Sequence, residues 1–230
     1  MIPIKDTIPS RTYPIVTISL IAVNSVLFLY EISLGPNLGE FISDYSVIPA
    51  KYFRLAVVDK WNLVDRFLPL FTSIFLHGGW FHLIGNMIYL WVFGDNMEDM
   101  MGHIKYFVFY LLCGLGAGYA HLYTNVSSSM PTIGASGAIA GVMGAYFVLF
   151  PRSKVWTLFP IFFFVQIVQI PAFALLGFWF LMQFFMGFFS LGISPALGGG
   201  VAWWAHIGGF ACGALLVFVF KKRICVRCAH

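Results

Sequence analysis

Ser136 is the residue whose type and setting best suit nucleophilic chemistry. It lies in the stretch Gly134-Ala135-Ser136-Gly137, where an apolar, helix-compatible run begins. The first N–H groups of a helix have no carbonyl partner and favour developing negative charge, such as that of an oxyanion. A second interpretation is that Gly137 and Gly141 form a small-residue face for contact between membrane helices, a common use of this spacing.

Composition places the chain in a membrane. Of its 230 residues, 60% are apolar and 10% are charged, whereas a soluble domain carries about 25% charged residues. The chain is therefore predicted to be an integral membrane protein with one domain, and the lipid bilayer is its first expected partner.

The net charge of +4 reflects membrane orientation and does not predict a nucleic-acid partner. Positive residues that flank membrane spans are usually cytoplasmic. If the N-terminus is cytoplasmic, the following residues obey this tendency: Lys5, Arg11, Lys105, Arg152, Lys154, Lys221, Lys222, Arg223 and Arg227. Both termini are therefore predicted to be cytoplasmic, and the absence of a recognisable targeting extension fits a bacterial inner membrane.

Apolar runs separated by Gly, Pro and charged residues predict an all-α membrane protein, a bundle of six transmembrane helices. The first loop carries aromatic side chains among mixed charges, so it is predicted to be re-entrant or interfacial. The predicted spans cover residues 14–34, 77–93, 104–124, 136–150, 171–190 and 202–220.

The connections between the spans complete the predicted organisation. Residues 35–76 form the first loop, and residues 94–99 form a polar cytoplasmic turn. Residues 155–170 are predicted to be an interfacial or re-entrant element, because Pro160 and Pro171 divide an apolar stretch too long for one span. The domain prediction is a cytoplasmic tail at 1–13, a six-span unit at 14–220 and a basic cytoplasmic tail at 221–230.

Three polar groups are predicted to share one depth in the membrane. Polar groups inside spans are costly and usually mark function. At about 1.5 Å per residue, His82, Ser136 and His206 lie roughly 20 to 24 Å from the cytoplasmic ends of their spans. In a hydrocarbon layer of about 30 Å, this level is nearer the outer surface. Small residues beside Ser136 and His206 would let their two helices approach closely.

A Ser–His dyad is the chemistry that these residues predict, with His206 as general base for Ser136. His82 and Asn86, spaced i and i+4, share a helix face and can donate hydrogen bonds to an oxyanion. Every Asp and Glu is assigned to the tail, the first loop or the turn after the second span, so no carboxylate is expected to complete a triad. For His206 or Asn86 taken singly, an interhelical hydrogen bond is the alternative.

The cysteines predict neither a disulfide scaffold nor a cofactor. Cys113 and Cys212 lie inside apolar runs, where a thiol behaves as a small hydrophobe. Cys225, Cys228 and His230 resemble half of a zinc site but lack a fourth ligand, so reduced cytosolic thiols are favoured and no metal is predicted.

The motifs His77-Gly-Gly-Trp-Phe-His82-xxx-Asn86, Gly134-Ala-Ser136-Gly137 and Ala205-His206-Ile-Gly-Gly together resemble the rhomboid family of intramembrane serine proteases. The resemblance covers about residues 14–220. It implies Ser136 as the nucleophile, His206 as the general base, and His82 and Asn86 as oxyanion-hole donors. It also implies that Gly134 shapes the loop beside the nucleophile and that the substrates are proteins with single membrane spans.

Further expectations and departures accompany the resemblance. It implies a substrate gate at about 171–202. Many members carry an aromatic residue four positions after the serine, where this chain has Ala140. Many also carry a Trp-Arg pair in the first loop, in the region where this chain has Leu68-Pro69. His206 must therefore be held in another way. The alternatives are a non-catalytic relative that binds and escorts membrane spans, or a small-solute transporter, and the oligomeric state is left open.

Overall fold

The computed structural model describes residues 1–161, 164–190 and 201–222, and these are mostly helical. The helices are α1 (Ile15–Ser33), α2 (Leu38–Tyr45), α3 (Pro49–Val58), α4 (Leu63–Thr72), α5 (Trp80–Met101), α6 (His103–Thr124), α7 (Ser136–Leu149), α8 (Ala172–Ser190) and α9 (Trp203–Phe220). The strands are β1 (Ile2–Asp6), β2 (Lys154–Ile161) and β3 (Phe164–Pro171).

The expected multi-pass helical membrane fold is confirmed. Within the described residues, α1, α6, α8 and α9 are long and apolar enough to cross a membrane. A fifth candidate is the pair Leu63–Phe75 and Trp80–Met101, which is bent by 78°, as in a broken span or a re-entrant loop. Helix α7 is apolar but shorter, with 14 residues. The count of six spans therefore stays a prediction.

The predicted polar turn at 94–99 is wrong, because α5 continues through it to Met101. Its polar residues find partners inside the protein. The fully buried carboxylate of Glu98 accepts hydrogen bonds from the backbone N–H groups of Val16 (2.9 Å) and Thr17 (2.8 Å). These N–H groups belong to the first turn of α1, which has no earlier carbonyls to bind them. Glu98 thus caps α1 instead of ending α5.

The described part of residues 155–170, predicted as an interfacial or re-entrant element, belongs to strands β2 and β3, so the mostly helical fold also contains a small sheet. Its location relative to the membrane stays a prediction. Strands β2 and β3 form an antiparallel hairpin, and β1 pairs antiparallel with β2. Residues 1–13, predicted as a polar tail, therefore begin with an ordered strand. Strand β1 pairs with residues about 150 positions later in the chain. Backbone pairing over this distance produces no periodic pattern in the sequence, so sequence analysis did not predict it.

The first loop folds into the short helices α2, α3 and α4. It is tied to the loop before α7 by an isolated bridge, in which Val47 and Thr132 exchange backbone hydrogen bonds of 3.1 and 2.8 Å. The guanidinium of Arg66 lies over the ring of Tyr52, 4.7 Å from its centroid. The location of this loop at the membrane interface stays a prediction.

Helices α7 and α9 meet backbone to backbone at their small residues. A methyl group added at Gly209 would overlap the carbonyl of Gly137, and one added at Gly213 would overlap the backbone of Gly141. No larger residue fits these two positions without moving the helices apart. The close contact fixes the relative position of the first turn of α7 and the first turns of α9.

Candidate active site

Ser136 and His206 form a direct hydrogen bond. Ser136 is the first residue of α7, and His206 lies in the first turn of α9. The distance between Ser136 Oγ and His206 Nε2 is 2.9 Å. The close contact between α7 and α9 accounts for this short distance, because it brings both helix N-termini to one place. The structure therefore places side by side the two residues that the sequence predicts as a pair.

Gln183 holds the other side of the imidazole and was missed by the sequence analysis. Its Oε1 lies 2.7 Å from His206 Nδ1, and its side chain is buried. With this oxygen as acceptor, Nδ1 carries the proton, so Nε2 has a free lone pair for the Ser136 hydroxyl. A polar amide inside the apolar helix α8 is the signal that would have pointed to it.

Trp179 adds an aromatic neighbour to His206. Its ring lies 5.8 Å from the imidazole, centroid to centroid, with an interplanar angle of 38°. Trp179 and Gln183 are one helical turn apart on α8, so both face the histidine. Together they answer how His206 is held in a chain that has Ala140 after the serine.

His82 and Asn86 face the same cavity from α5. The backbone N–H of Gly78 donates to His82 Nδ1 at 3.3 Å, so the proton of the neutral ring is on Nε2. Within the described residues, the buried amide nitrogen of Asn86 has no hydrogen-bond partner. Two N–H donors are thus left for a group that enters the cavity.

Gly134 lets the imidazole of His82 approach the loop before Ser136. Its φ of +131° is unfavourable for residues with side chains. A Cβ atom here would lie 2.7 Å from His82 Nε2 and 3.5 Å from Ser136 Oγ. The backbone N–H of Gly134 donates to the carbonyl of Ser73 at 2.8 Å, which fixes the loop. The expected contribution of Gly134 to loop shape is consistent with this geometry.

A buried carboxylate lies nearer the site than the sequence analysis expected. Glu31, which was assigned to the first loop, is on α1 and is 2% exposed. Its two carboxylate oxygens accept from the backbone N–H of His77 at 3.2 and 3.3 Å. The ring of His77 lies 5.2 Å from that of His82. Glu31 supports the segment that leads into α5 but does not contact the dyad.

The loop before Ser136 is anchored by His121. The distance between His121 Nε2 and Thr132 Oγ1 is 2.8 Å. Thr132 lines the same cavity as Ser136. The contact with Thr132 therefore gives His121 a structural role in holding this loop.

A cavity of about 590 Å³ contains the site. Ser136, His206, His82 and Asn86 all line it, beside apolar residues of α5, α7 and α8. A volume of this size suits a short peptide segment rather than a single ion. Two sequence predictions lie outside the described residues: the half zinc site of Cys225, Cys228 and His230, and the part of the predicted gate at 191–200.

This fold and site define a multi-pass helical membrane protein with a serine–histidine pair at a cavity. A family model for the Rhomboid domain matches residues 64–223, which is more than half of the chain. The chain belongs to the rhomboid family, and the resemblance drawn from its motifs is thereby confirmed.

Three relatives illustrate the similarity. RHOMBOID-like protein 4 of Arabidopsis thaliana is 35% identical over 164 residues, which are 69% of this chain and 35% of the relative. Rhomboid protease GluP of Bacillus subtilis is 32% identical over 137 residues, 60% of this chain and 24% of the relative. Rhomboid protein 1, mitochondrial, of Saccharomyces cerevisiae is 28% identical over 142 residues, 60% and 37%. The matched region spans less than half the length of each relative.

Proposed function

We propose that this protein is an intramembrane serine endopeptidase that hydrolyses peptide bonds in or near the membrane-spanning segments of other proteins. The observation that carries the proposal is the 2.9 Å contact between Ser136 Oγ and His206 Nε2, near the Asn86 amide nitrogen, which has no hydrogen-bond partner in the part of the chain that the structure describes. A hydroxyl, a base and free oxyanion donors around one cavity are the parts that acyl transfer requires. Membership of a family that includes a bacterial protease supports it.

The first chemical step forms an acyl-enzyme. Ser136 Oγ attacks the peptide carbonyl while His206 Nε2 takes the hydroxyl proton. The carbonyl oxygen becomes an oxyanion, which accepts hydrogen bonds from His82 Nε2, Asn86 Nδ2 and the Ser136 backbone N–H. The proton on His206 then passes to the leaving amine. Throughout, Gln183 keeps the Nδ1 proton in place, so Nε2 remains the nitrogen that exchanges protons.

Water completes the reaction. His206 Nε2 takes a proton from a water molecule that attacks the acyl carbonyl, and the returned proton releases Ser136. The substrate must be unwound at the cut, because a helix hides its carbonyls in hydrogen bonds that lipid cannot replace. We therefore infer that small or helix-weakening residues near the cut favour cleavage. We also propose that the protein lies in a bacterial inner membrane with both termini in the cytoplasm.

Cleavage of a single-span protein in proteoliposomes tests the proposal. Ser136→Ala should fold normally, lose cleavage and lose labelling by a fluorophosphonate probe. Ser33→Ala is the matched control, because Ser33 is exposed on α1 and donates to the carbonyl of Tyr30 in its own helix at 2.7 Å. Cleavage by Ser136→Ala at the unmodified rate would remove the serine from the mechanism. Binding of the substrate without cleavage or labelling by the unmodified protein would instead favour the non-catalytic escort function.

A further inference from the structure

The N-terminal strand β1 lies beside the cavity. The hydroxyl of Tyr89 on α5 donates to the Met1 carbonyl at 3.2 Å, and Tyr89 also lines the cavity that holds Ser136. At the other end of β1, the carboxylate of Asp6 accepts from the hydroxyl of Tyr146 on α7. Hydrogen bonds near its two ends therefore join β1 to α5, which carries the oxyanion donors, and to α7, which carries the nucleophile.

The three-stranded sheet extends from α5 to α8. Strand β1 packs against α5, and β3 continues directly into α8. Between them, Val155 of β2 is fully buried in the core cluster that includes Tyr146 and Leu176. Tyr89 of α5 and Trp179 of α8 both line the cavity. The sheet thus connects α5 with α8, the two helices that contribute Tyr89 and Trp179 to the cavity.

The place that β1 occupies binds an extended chain. Strand β1 pairs along β2, with Ile2 opposite Leu158 and Asp6 opposite Val155. A strand edge such as that of β2 is a template for any extended segment that can reach it. A membrane-spanning substrate must become extended at its cut before Ser136 can attack. The conformation that chemistry requires is therefore the conformation that β2 binds.

The surroundings of β1 match the side chains of a membrane segment. Ile2, Pro3 and Ile4 line an apolar groove of about 690 Å³, whose other walls come from α1 and α5. A strand with apolar side chains and a backbone that needs partners fits this place. Charged segments do not, because they would lose their hydration.

We propose that β1 occupies a docking place for substrate, and that an extended apolar part of a membrane-spanning substrate replaces β1 on the edge of β2. This inference rests on the proposed peptidase function. In the free protein, β1 is then a competitor within the same chain. It limits access to the cavity without contacting Ser136 or His206.

A reversible cross-link tests the proposal. In the variant Ile2→Cys/Leu158→Cys, a disulfide between opposed strand positions holds β1 on β2. The oxidised protein should cleave a single-span substrate about tenfold more slowly or worse, because the docking place is no longer vacated. Reductant should restore the rate, and labelling of Ser136 by a small fluorophosphonate should be the same in both states.

A second cross-link is the matched control. Leu158→Cys/Ile167→Cys joins β2 to β3 at another opposed pair, uses the same Leu158 substitution and leaves β1 free. Its cleavage rate should be the same in the oxidised and reduced states, because the cross-link does not hold β1 in place. Equal cleavage by both oxidised variants would overturn the proposal. So would a β1 cross-link that slows labelling as much as cleavage, because β1 would then act on the dyad.

An uncross-linked variant provides an independent measurement. Asp6→Ala removes one anchor of β1, while Tyr146 keeps a hydrogen bond of 2.9 Å with Ser153 Oγ. Cleavage should rise about fivefold, the equivalent of one lost hydrogen bond, with labelling unchanged. A rate that stays the same or falls contradicts the proposal. If the reduced, uncross-linked protein shows neither cleavage nor labelling, the proposed peptidase function itself has failed.

Discussion

Gln183 Oε1 lies 2.7 Å from His206 Nδ1, on the side of the imidazole opposite Ser136. The histidine is thus held between a hydroxyl from α7 and an amide from α8. Among the described residues no carboxylate contacts His206, and the neutral amide performs the orienting part of a carboxylate's role. It selects the tautomer and fixes the ring, but it adds no charge.

Replacing Gln183 tests this positioning role. Gln183→Met has a similar shape but no acceptor, so kcat should fall about ten- to a hundredfold with little change in KM, because the base is less often in the reactive tautomer. Gln183→Glu retains an acceptor oxygen and should recover part of the rate. Steady-state cleavage in proteoliposomes measures both variants.

A purely structural Gln183 would give a different pattern. Both substitutions would then lower the midpoint of thermal unfolding, and activity would follow the folded fraction. If Gln183→Met keeps the unmodified kcat, the Nδ1 contact has no part in the reaction.

A substitution of Asn86 distinguishes two possible roles of this residue: donating to the oxyanion, or joining two helices by a hydrogen bond. Its amide nitrogen is buried and has no hydrogen-bond partner within the described residues, so Asn86→Leu removes no hydrogen bond made by that nitrogen. We expect kcat to fall about a hundredfold, since one oxyanion donor is lost, while thermal stability in detergent stays the same or rises. A large loss of stability with kcat retained would instead identify Asn86 as a residue that joins helices.

Gly213 tests whether close contact between α7 and α9 sets the reactive distance. Gly213→Ala should destabilise the fold by about 3 kcal/mol and lower Ser136 labelling, because the methyl group would overlap the backbone of Gly141. Gly177→Ala is the control, since its Cβ would meet Phe147 at an ordinary 3.7 Å. Unfolding in detergent and fluorophosphonate labelling provide the two measurements. Equal stability of the two variants would show that the helices separate at little cost.

The sequence by itself determined the membrane class, the approximate positions of the long helices and the main polar residues around the cavity. Apolar runs define spans because the transfer energy of each side chain is a local property. Ser136, His206, His82 and Asn86 stand out because polar groups inside such runs are costly. Gln183 meets the same criterion, because it is a polar residue inside an apolar run. Its role became clear only from the structure, in which α8 brings its side chain to His206 Nδ1.

Only the tertiary structure decided how distant segments meet. The pairing of β1 with β2, the cap that Glu98 places on α1 and the burial of Glu31 against the His77 backbone all join residues far apart in the chain. Each depends on how helices and strands are aligned against one another, and hydrophobic periodicity does not encode that alignment. Sequence analysis assigns a carboxylate to a loop because burial of a charge is costly without partners, and the buried N–H partners are known only from the structure.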